Sequence, residues 1–153
     1  MPESAPPRGY VLSFDFGLRR IGVAVGQSAT CTASSLETIA HSDRPDWQAI
    51  DRLVEEWHPE MFVVGLPLDR HGEETDMSRA ARHFGSTLTR RYRRECTYVD
   101  ERLSSHAAQS RFAQLRANGT VKRKHAKGLD AMAARIVLEN WLQSLPPARD
   151  GTT

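Results

Sequence analysis

Three carboxylates occupy positions where they could do chemistry together. Asp15 lies near the end of the apolar stretch GYVLSFDFG, Glu101 follows a second such stretch in CTYVDERLSS, and Asp130 opens the amphipathic stretch GLDAMAARIVLENWL. Converging carboxylates repel one another unless a cation neutralises them, and a ligand set of oxygens alone suits Mg²⁺ or Mn²⁺. The three residues therefore predict a metal-dependent phosphoryl-transfer site.

The reaction that fits such a site is phosphodiester hydrolysis. It requires a deprotonated water in line with the leaving oxygen, and two metal ions roughly 3.5 to 4 Å apart can activate the first and stabilise the second. Asp15 is the natural bridging ligand because a central strand would hold it rigidly. Glu101 on a neighbouring strand end and Asp130 on a first helical turn would complete the metal ligands, with no covalent enzyme intermediate.

Each carboxylate also has a structural interpretation. Asp15 precedes Phe16 and Gly17, and aspartate is common where strands turn. Asp130 could serve only as a charge favourable to the dipole of its helix, which is typically worth roughly 0.3 to 1 kcal/mol. Asp100 and Glu101 are adjacent and would point to opposite faces of extended backbone, so only one of them is expected to meet Asp15.

The hydrophobic pattern predicts the elements that position these residues. Three strands precede two helix–strand units and two final helices, which indicates an α/β fold with a mixed five-stranded sheet: an antiparallel three-strand meander plus two parallel strands, with helices on both faces. Residues 65–68 are predicted to form a loop. The predicted strands are 10–16, 21–26, 34–39, 61–64 and 96–99, and the predicted helices are 46–57, 76–92, one beginning at Ser104 and one at Asp130 with Met132, Ala133, Ile136, Val137 and Trp141 on its inner side.

Length and composition limit the class of protein. At 153 residues the chain fits a single domain, predicted over 9–145, with flexible ends at 1–8 and 146–153. Cys31 and Cys96 are too far apart for a short metal motif, so reduced thiols and a cytoplasmic location are expected. The sequence has neither the pattern of a signal peptide nor an apolar run long enough to span a membrane.

Basic residues are clustered although the net charge is only +2. Arg19 and Arg20 follow Asp15, Arg102 follows Glu101, and a basic run leads into Asp130 without an acidic residue. Each group is either a solvated surface or a sequence-independent contact to phosphates, and proximity to the carboxylates favours nucleic-acid binding. The candidate substrate contacts in the run are Lys122, Arg123, Lys124 and Lys127, and a further cluster, Arg90, Arg91, Arg93 and Arg94, closes the helix predicted over 76–92.

Four segments carry a family resemblance. They are FDFGLRRIGVAVG, VVGLPLDRHGEE, VDERLSS and LDAMAARIVLENWL, and each resembles a signature of the YqgF family, also called RuvX. The resemblance implies a ribonuclease H-like fold and places Asp15, Glu101 and Asp130 at the family's catalytic carboxylates, which selects Glu101 over Asp100. It also implies a nuclease that processes the 5′ end of pre-16S ribosomal RNA, the family having first been proposed to resolve Holliday junctions.

Other functions fit parts of the same pattern. A resolvase of branched DNA would share the phosphate contacts, and a symmetric junction would require a homodimer rather than a monomer. A non-catalytic RNA-binding assembly factor would use the basic run and treat the acids as structural. FDFG also resembles the first phosphate loop of actin-like ATPases and sugar kinases, but those proteins need two such domains, and this chain has room for one.

Overall fold

A computed structural model describes residues 9–17, 19–41, 44–101 and 123–145, and for 123–130 it describes the backbone alone. The predicted flexible ends, 1–8 and 146–153, and the helix predicted from Ser104 lie outside the described residues. The strands are β1 (Tyr10–Phe16), β2 (Arg20–Gln27), β3 (Thr32–Ala40), β4 (Met61–Leu66) and β5 (Glu95–Asp100), and the helices are α1 (Trp47–Trp57), α2 (Asp76–Tyr92) and α3 (Arg123–Ser144).

The strands form one five-stranded sheet in the order β3-β2-β1-β4-β5. β1 pairs antiparallel with β2, and β2 with β3, whereas β4 runs parallel to both β1 and β5. This arrangement confirms the predicted mixed sheet. The carboxyl ends of β1, β4 and β5 meet at one end of the sheet, called here the site end, and their amino ends form the far end.

Alternating side chains divide the core between the two faces of the sheet. Leu12 and Phe14 of β1 belong to a large cluster with residues of α1 and α2. Val11 instead packs with Val63 and Leu138 in a second cluster beneath α3. The predicted helices on both faces are therefore confirmed, and the odd-numbered residues of β1 face α3.

Local signals in the sequence set several element boundaries. Asp46 lies just before α1 and caps it, since its side chain accepts a hydrogen bond from the amide of Ala49. Thr75 and Ser78 form a reciprocal capping box at the start of α2. The prediction of a loop at 65–68 was wrong for Gly65 and Leu66, because these two residues continue β4 and pair with Val99 and Asp100 of β5.

Helix α3 differs from its prediction in start and in inner face. It begins at Arg123, so Asp130 lies in its interior and not on its first turn. Apart from Val137, the predicted inner residues Met132, Ala133, Ile136 and Trp141 are only partly buried, and the buried residues are Ala131, Ala134, Val137, Leu138 and Leu142. Small residues face the sheet because the helix packs closely on it: a Cβ added to Gly26 would lie 2.9 Å from Cδ2 of Leu138.

Two serine hydroxyls fix α3 to the sheet. Oγ of the fully buried Ser13 donates to the carbonyl oxygen of Ala134 at 2.9 Å. Oγ of Ser35 donates to the carbonyl oxygen of Ala131 at 3.2 Å. Both bonds join strands to the same stretch of helix and thereby fix the height of that stretch above the sheet. Across the described ranges, none of the helices combines the length and apolar character needed to cross a membrane.

Replacement of Ser13 by Ala is expected to lower the free energy of unfolding by about 1 kcal/mol, the usual contribution of a buried hydrogen bond. Chemical denaturation measures the change. Ser35→Ala is the matched control because it removes a hydroxyl contact to the same helix from an exposed residue, and it should cost less. Equal losses in both variants would contradict the importance of the buried bond.

Candidate active site

Asp15 occupies a central strand of the sheet. It is the next-to-last residue of β1, lies opposite Gly22 of β2 and is half-buried. Since Val11 and Ser13 of the same strand contact α3 or its core, the alternation places Asp15 on that face of the sheet. β1 is hydrogen-bonded to β2 on one side and to β4 on the other, which confirms the predicted position of Asp15 on a central strand.

Glu101 reaches the same place from β5. Val99 packs in the core beneath α3, and Glu101, two residues further, lies on the same face. A Cβ added to Gly65 would lie only 2.7 Å from Oε2 of Glu101 and 3.1 Å from Cγ2 of Val137. The Glu101 carboxylate thus rests on the bare backbone of β4, in space that any larger residue at position 65 would occupy.

The two carboxyl groups are close enough to share a proton. The pKa of Glu101 is raised from 4.5 to about 8, first by burial and then by the charge of Asp15, by a hydrogen bond with Asp15 and by the charge of Asp100. The raised pKa favours the protonated form of Glu101, whose O–H donates a hydrogen bond to the Asp15 carboxylate. A cation would satisfy the same oxygens, so the chemistry of this donor pair fits Mg²⁺ or Mn²⁺.

The third predicted carboxylate is located by its backbone alone. Asp130 belongs to α3, and its side chain lies outside the described residues. Helix positions four and seven apart share a face, so position 130 is on the face that carries Ala134 and Val137 against the sheet. Among the side chains that the structure describes, no group of three histidine, cysteine or acidic residues forms a metal site.

Of the predicted basic contacts, two lie within the described ranges at the site end. Arg19 is exposed, and Arg20 begins β2. The turn that carries them is closed by a hydrogen bond from the Gly17 amide to the Arg20 carbonyl oxygen at 3.0 Å. Arg102 and Lys122 lie outside the described residues, as do the side chains of Arg123, Lys124 and Lys127, whose backbone forms the first turns of α3.

Sequence reasoning missed two residues that support this site. Gly65 was assigned to a loop, yet it lies in β4 beneath the Glu101 carboxylate. His41 contacts the Gly17 carbonyl oxygen through Nδ1 at 2.8 Å and packs on the Phe16 ring, holding the turn after Asp15. A glycine inside an apolar run was a usable signal, whereas nothing in the sequence links His41 to Gly17.

The raised pKa of Glu101 predicts a pH-dependent stability in metal-free protein. Between the ordinary pKa of 4.5 and the folded-state pKa of about 8, only the folded chain keeps the proton. The free energy of unfolding should therefore fall as the pH rises through this window and level off above it. Glu101→Gln should abolish this fall and raise the melting temperature at pH 8 but not at pH 4.5.

Thermal unfolding in EDTA across this pH range is the measurement. Glu56→Gln, which alters an exposed residue of α1, is the matched control and should retain the wild-type pH dependence. A wild-type profile that is identical to that of Glu101→Gln would contradict the buried proton.

Two solved structures share this fold. T. thermophilus RuvC in complex with a Holliday junction substrate aligns with a TM-score of 0.53 at 14% identity, covering 92% of this chain and 98% of that one. The yeast mitochondrial Holliday junction resolvase Ydc2 aligns with a TM-score of 0.50 at 11% identity, covering 91% and 80%. At these identities the similarity establishes the ribonuclease H-like fold.

Sequence comparison is more specific. A Hydrogenovibrio crunogenus protein named "Putative pre-16S rRNA nuclease" is 46% identical over 141 residues, which cover 92% of this chain and 98% of the relative. A protein of the same name from Xanthomonas euvesicatoria pv. vesicatoria is 43% identical over 145 residues, covering 93% and 94%. The model of the RuvX family, described as Holliday junction resolvase, matches residues 9–144. The chain therefore belongs to the RuvX family.

Proposed function

We propose that this protein is a divalent-metal-dependent nuclease that hydrolyses phosphodiester bonds, with the 5′ end of pre-16S ribosomal RNA as its substrate during ribosome biogenesis. The observation that carries the proposal is the close pairing of the half-buried Asp15 and Glu101. Two acidic groups in contact are costly for a fold to keep unless they bind something positive. The choice of RNA rests on the names of the relatives, and a cytoplasmic location is part of the proposal.

In this proposal the carboxylates act as metal ligands. Asp15 would hold the metal from a strand that is hydrogen-bonded on both sides, and Glu101 would hold it from beside Asp15, over Gly65. Asp130 is proposed to complete the set from α3. When bound, divalent cations supply the activated water and the stabilised leaving oxygen that the hydrolysis needs. The phosphates of the substrate are proposed to contact seven basic residues: Arg19, Arg20, Arg102, Lys122, Arg123, Lys124 and Lys127.

Resolution of branched DNA is the second candidate function. The description of the family model and the Holliday junction bound by T. thermophilus RuvC favour it. A phosphate grip alone does not distinguish RNA from DNA, since it contacts the backbone that both share. A resolvase would pair two active sites symmetrically in a homodimer, whereas a pre-16S nuclease can act as a monomer.

Asp15→Asn is expected to reduce cleavage by at least about 100-fold, because even partners outside the first ligand shell cost roughly 10–100-fold when removed. End-labelled RNA with the 16S 5′ leader and a four-way DNA junction are each incubated with Mg²⁺, Mn²⁺ or EDTA. Asp46→Asn makes the same chemical change at the α1 cap, which asparagine also stabilises, and should cleave like wild type.

The outcome also separates the two candidate functions. Metal-dependent cutting of RNA that is lost in Asp15→Asn supports the ribosomal nuclease, and preferential symmetric cutting of the junction supports the resolvase. Metal-dependent cleavage retained by Asp15→Asn would exclude the proposed role of this residue.

Gly65→Ala is expected to reduce cleavage by roughly 10- to 100-fold, since a shift of about 1 Å in a reacting group can cost that much. The added methyl group would displace the Glu101 carboxylate from Asp15, given the 2.7 Å approach. Isothermal titration with Mn²⁺ should show weaker binding. Gly9→Ala is the control, because its methyl group would meet only the flexible Glu60 side chain. Unchanged Mn²⁺ binding by Gly65→Ala would contradict the proposed role of Glu101 as a metal ligand.

A further inference from the structure

The second helix carries an unusual concentration of positive charge. From Met77 to Arg94 the sequence holds six arginines and one histidine without a single aspartate or glutamate. The proposed active site does not use this segment. A helix that contributes only core residues would normally mix both signs of charge on its outer face.

Packing separates these residues into an inner and an outer set. Ala81, Phe84 and Leu88 are buried against the sheet. One stripe along the outer side of the helix is formed by exposed residues that mostly lie three or four positions apart: Arg79, Arg82, His83, Ser86, Arg90 and Arg93. Thr89 and Arg91 are exposed beside it. At 1.5 Å per residue the stripe from position 79 to position 93 is about 21 Å long.

The stripe begins at the site end of the sheet, on the face opposite the one that carries Asp15 and Glu101, and both ends of its helix contact other parts of the fold. Thr75 Oγ1, at the start of α2, donates to the Pro67 carbonyl oxygen at 2.9 Å, immediately after the strand that carries Gly65. At the other end Arg91 makes a two-pronged ion pair with Asp51 of α1, at 3.0 and 2.8 Å. The helix thus runs from the site end to the far end of the sheet.

Two of the four arginines on the stripe have no acidic partner among the described residues. Arg79 and Arg82 pair with Asp76 and Glu74, but these are exposed ion pairs of the kind that contribute at most about 1 kcal/mol. The guanidinium groups of Arg90 and Arg93 have no ion pair or hydrogen bond with any other residue in the described part of the chain. Glu95 is the nearest acid in sequence beyond them.

We propose that the outer face of α2 is a second nucleic-acid contact surface, which grips the phosphate backbone of a duplex arm leading away from Asp15 and Glu101. This inference rests on the proposed function. The arginine stripe on this face is about 21 Å long, which matches roughly six steps of a duplex strand at 3.4 Å per step. The exposed stripe contains no phenylalanine, tyrosine or tryptophan on which bases could stack, so it suits a paired backbone and not unpaired bases.

Charge also argues against the alternative that this face binds a second copy of the chain. A symmetric contact between two α2 helices would bring arginines of both copies together without acids on the stripe to neutralise them. A polyanionic backbone supplies the complementary charge along the whole stripe and releases its counterions on binding.

The test measures binding separately from cleavage. Fluorescence anisotropy with a labelled 24-base-pair RNA duplex, a length chosen to extend well beyond the roughly six steps covered by the stripe, is recorded in EDTA from low to high KCl. The single variants Arg90→Ala and Arg93→Ala are compared with Arg135→Ala, an exposed arginine of α3 on the opposite face of the sheet, because each removes one positive charge. The double variant Arg90→Ala/Arg93→Ala gives the full effect.

The double variant is expected to bind roughly tenfold more weakly, and its salt dependence should lose about one unit of slope per arginine removed. Arg135→Ala should keep the wild-type slope. The proposal would be overturned if the double variant bound the duplex as tightly as Arg135→Ala. It would also be overturned if the double variant lost self-association in sedimentation velocity without a change in RNA binding.

The same preparations, assayed for Mn²⁺-dependent cleavage, distinguish the two proposals. If the wild-type protein cleaves nothing but its duplex binding depends on Arg90 and Arg93, the proposed nuclease activity is refuted and the proposed contact surface is supported. Normal cleavage by a double variant that binds the duplex like wild type would refute the surface and leave the nuclease intact.

Discussion

The contact between the carboxyl groups of Asp15 and Glu101 is the constraint on which the rest of the site depends. Two acids this close repel when both are charged, and burial makes the repulsion stronger because less water screens it. The fold keeps them together only because their backbones belong to strands that are hydrogen-bonded within one sheet. Gly65 is part of the same constraint, since its missing side chain leaves the space that the Glu101 carboxylate fills.

Close packing of α3 follows from the same need for space. Gly26 admits the Leu138 side chain, and the buried Ser13 binds the helix backbone at Ala134. Small residues on both partners bring the helix near the sheet, at the cost of the apolar area that larger residues would bury. The helix is therefore held on the sheet by the buried side chains of Val137, Leu138 and Leu142 together with these close contacts and hydrogen bonds.

The opposite face of the sheet is built differently. The Phe84 ring packs edge-on against Phe14 at 5.3 Å and is stacked with Trp47 at 5.5 Å, joining α2 and α1 to β1. Such large aromatic contacts bury much area and hold the sheet rigid. They also orient α2, so that its arginines face outward. The aromatic packing on the face covered by α1 and α2 therefore stabilises the fold, and the half-buried Asp15 and Glu101 lie on the opposite face.

The sequence by itself determined the order of the described elements, because strand and helix periodicities are local properties. It also identified the three carboxylates as candidates, since acids at the ends of apolar segments are visible without a structure. Only the tertiary structure decided that Glu101 reaches Asp15 and that Gly65 underlies it, because those contacts join residues distant in the chain. The start of α3 was mispredicted because the helix already begins at Arg123, within the basic run, where arginine, lysine and alanine favour a helix without an apolar periodicity to mark it.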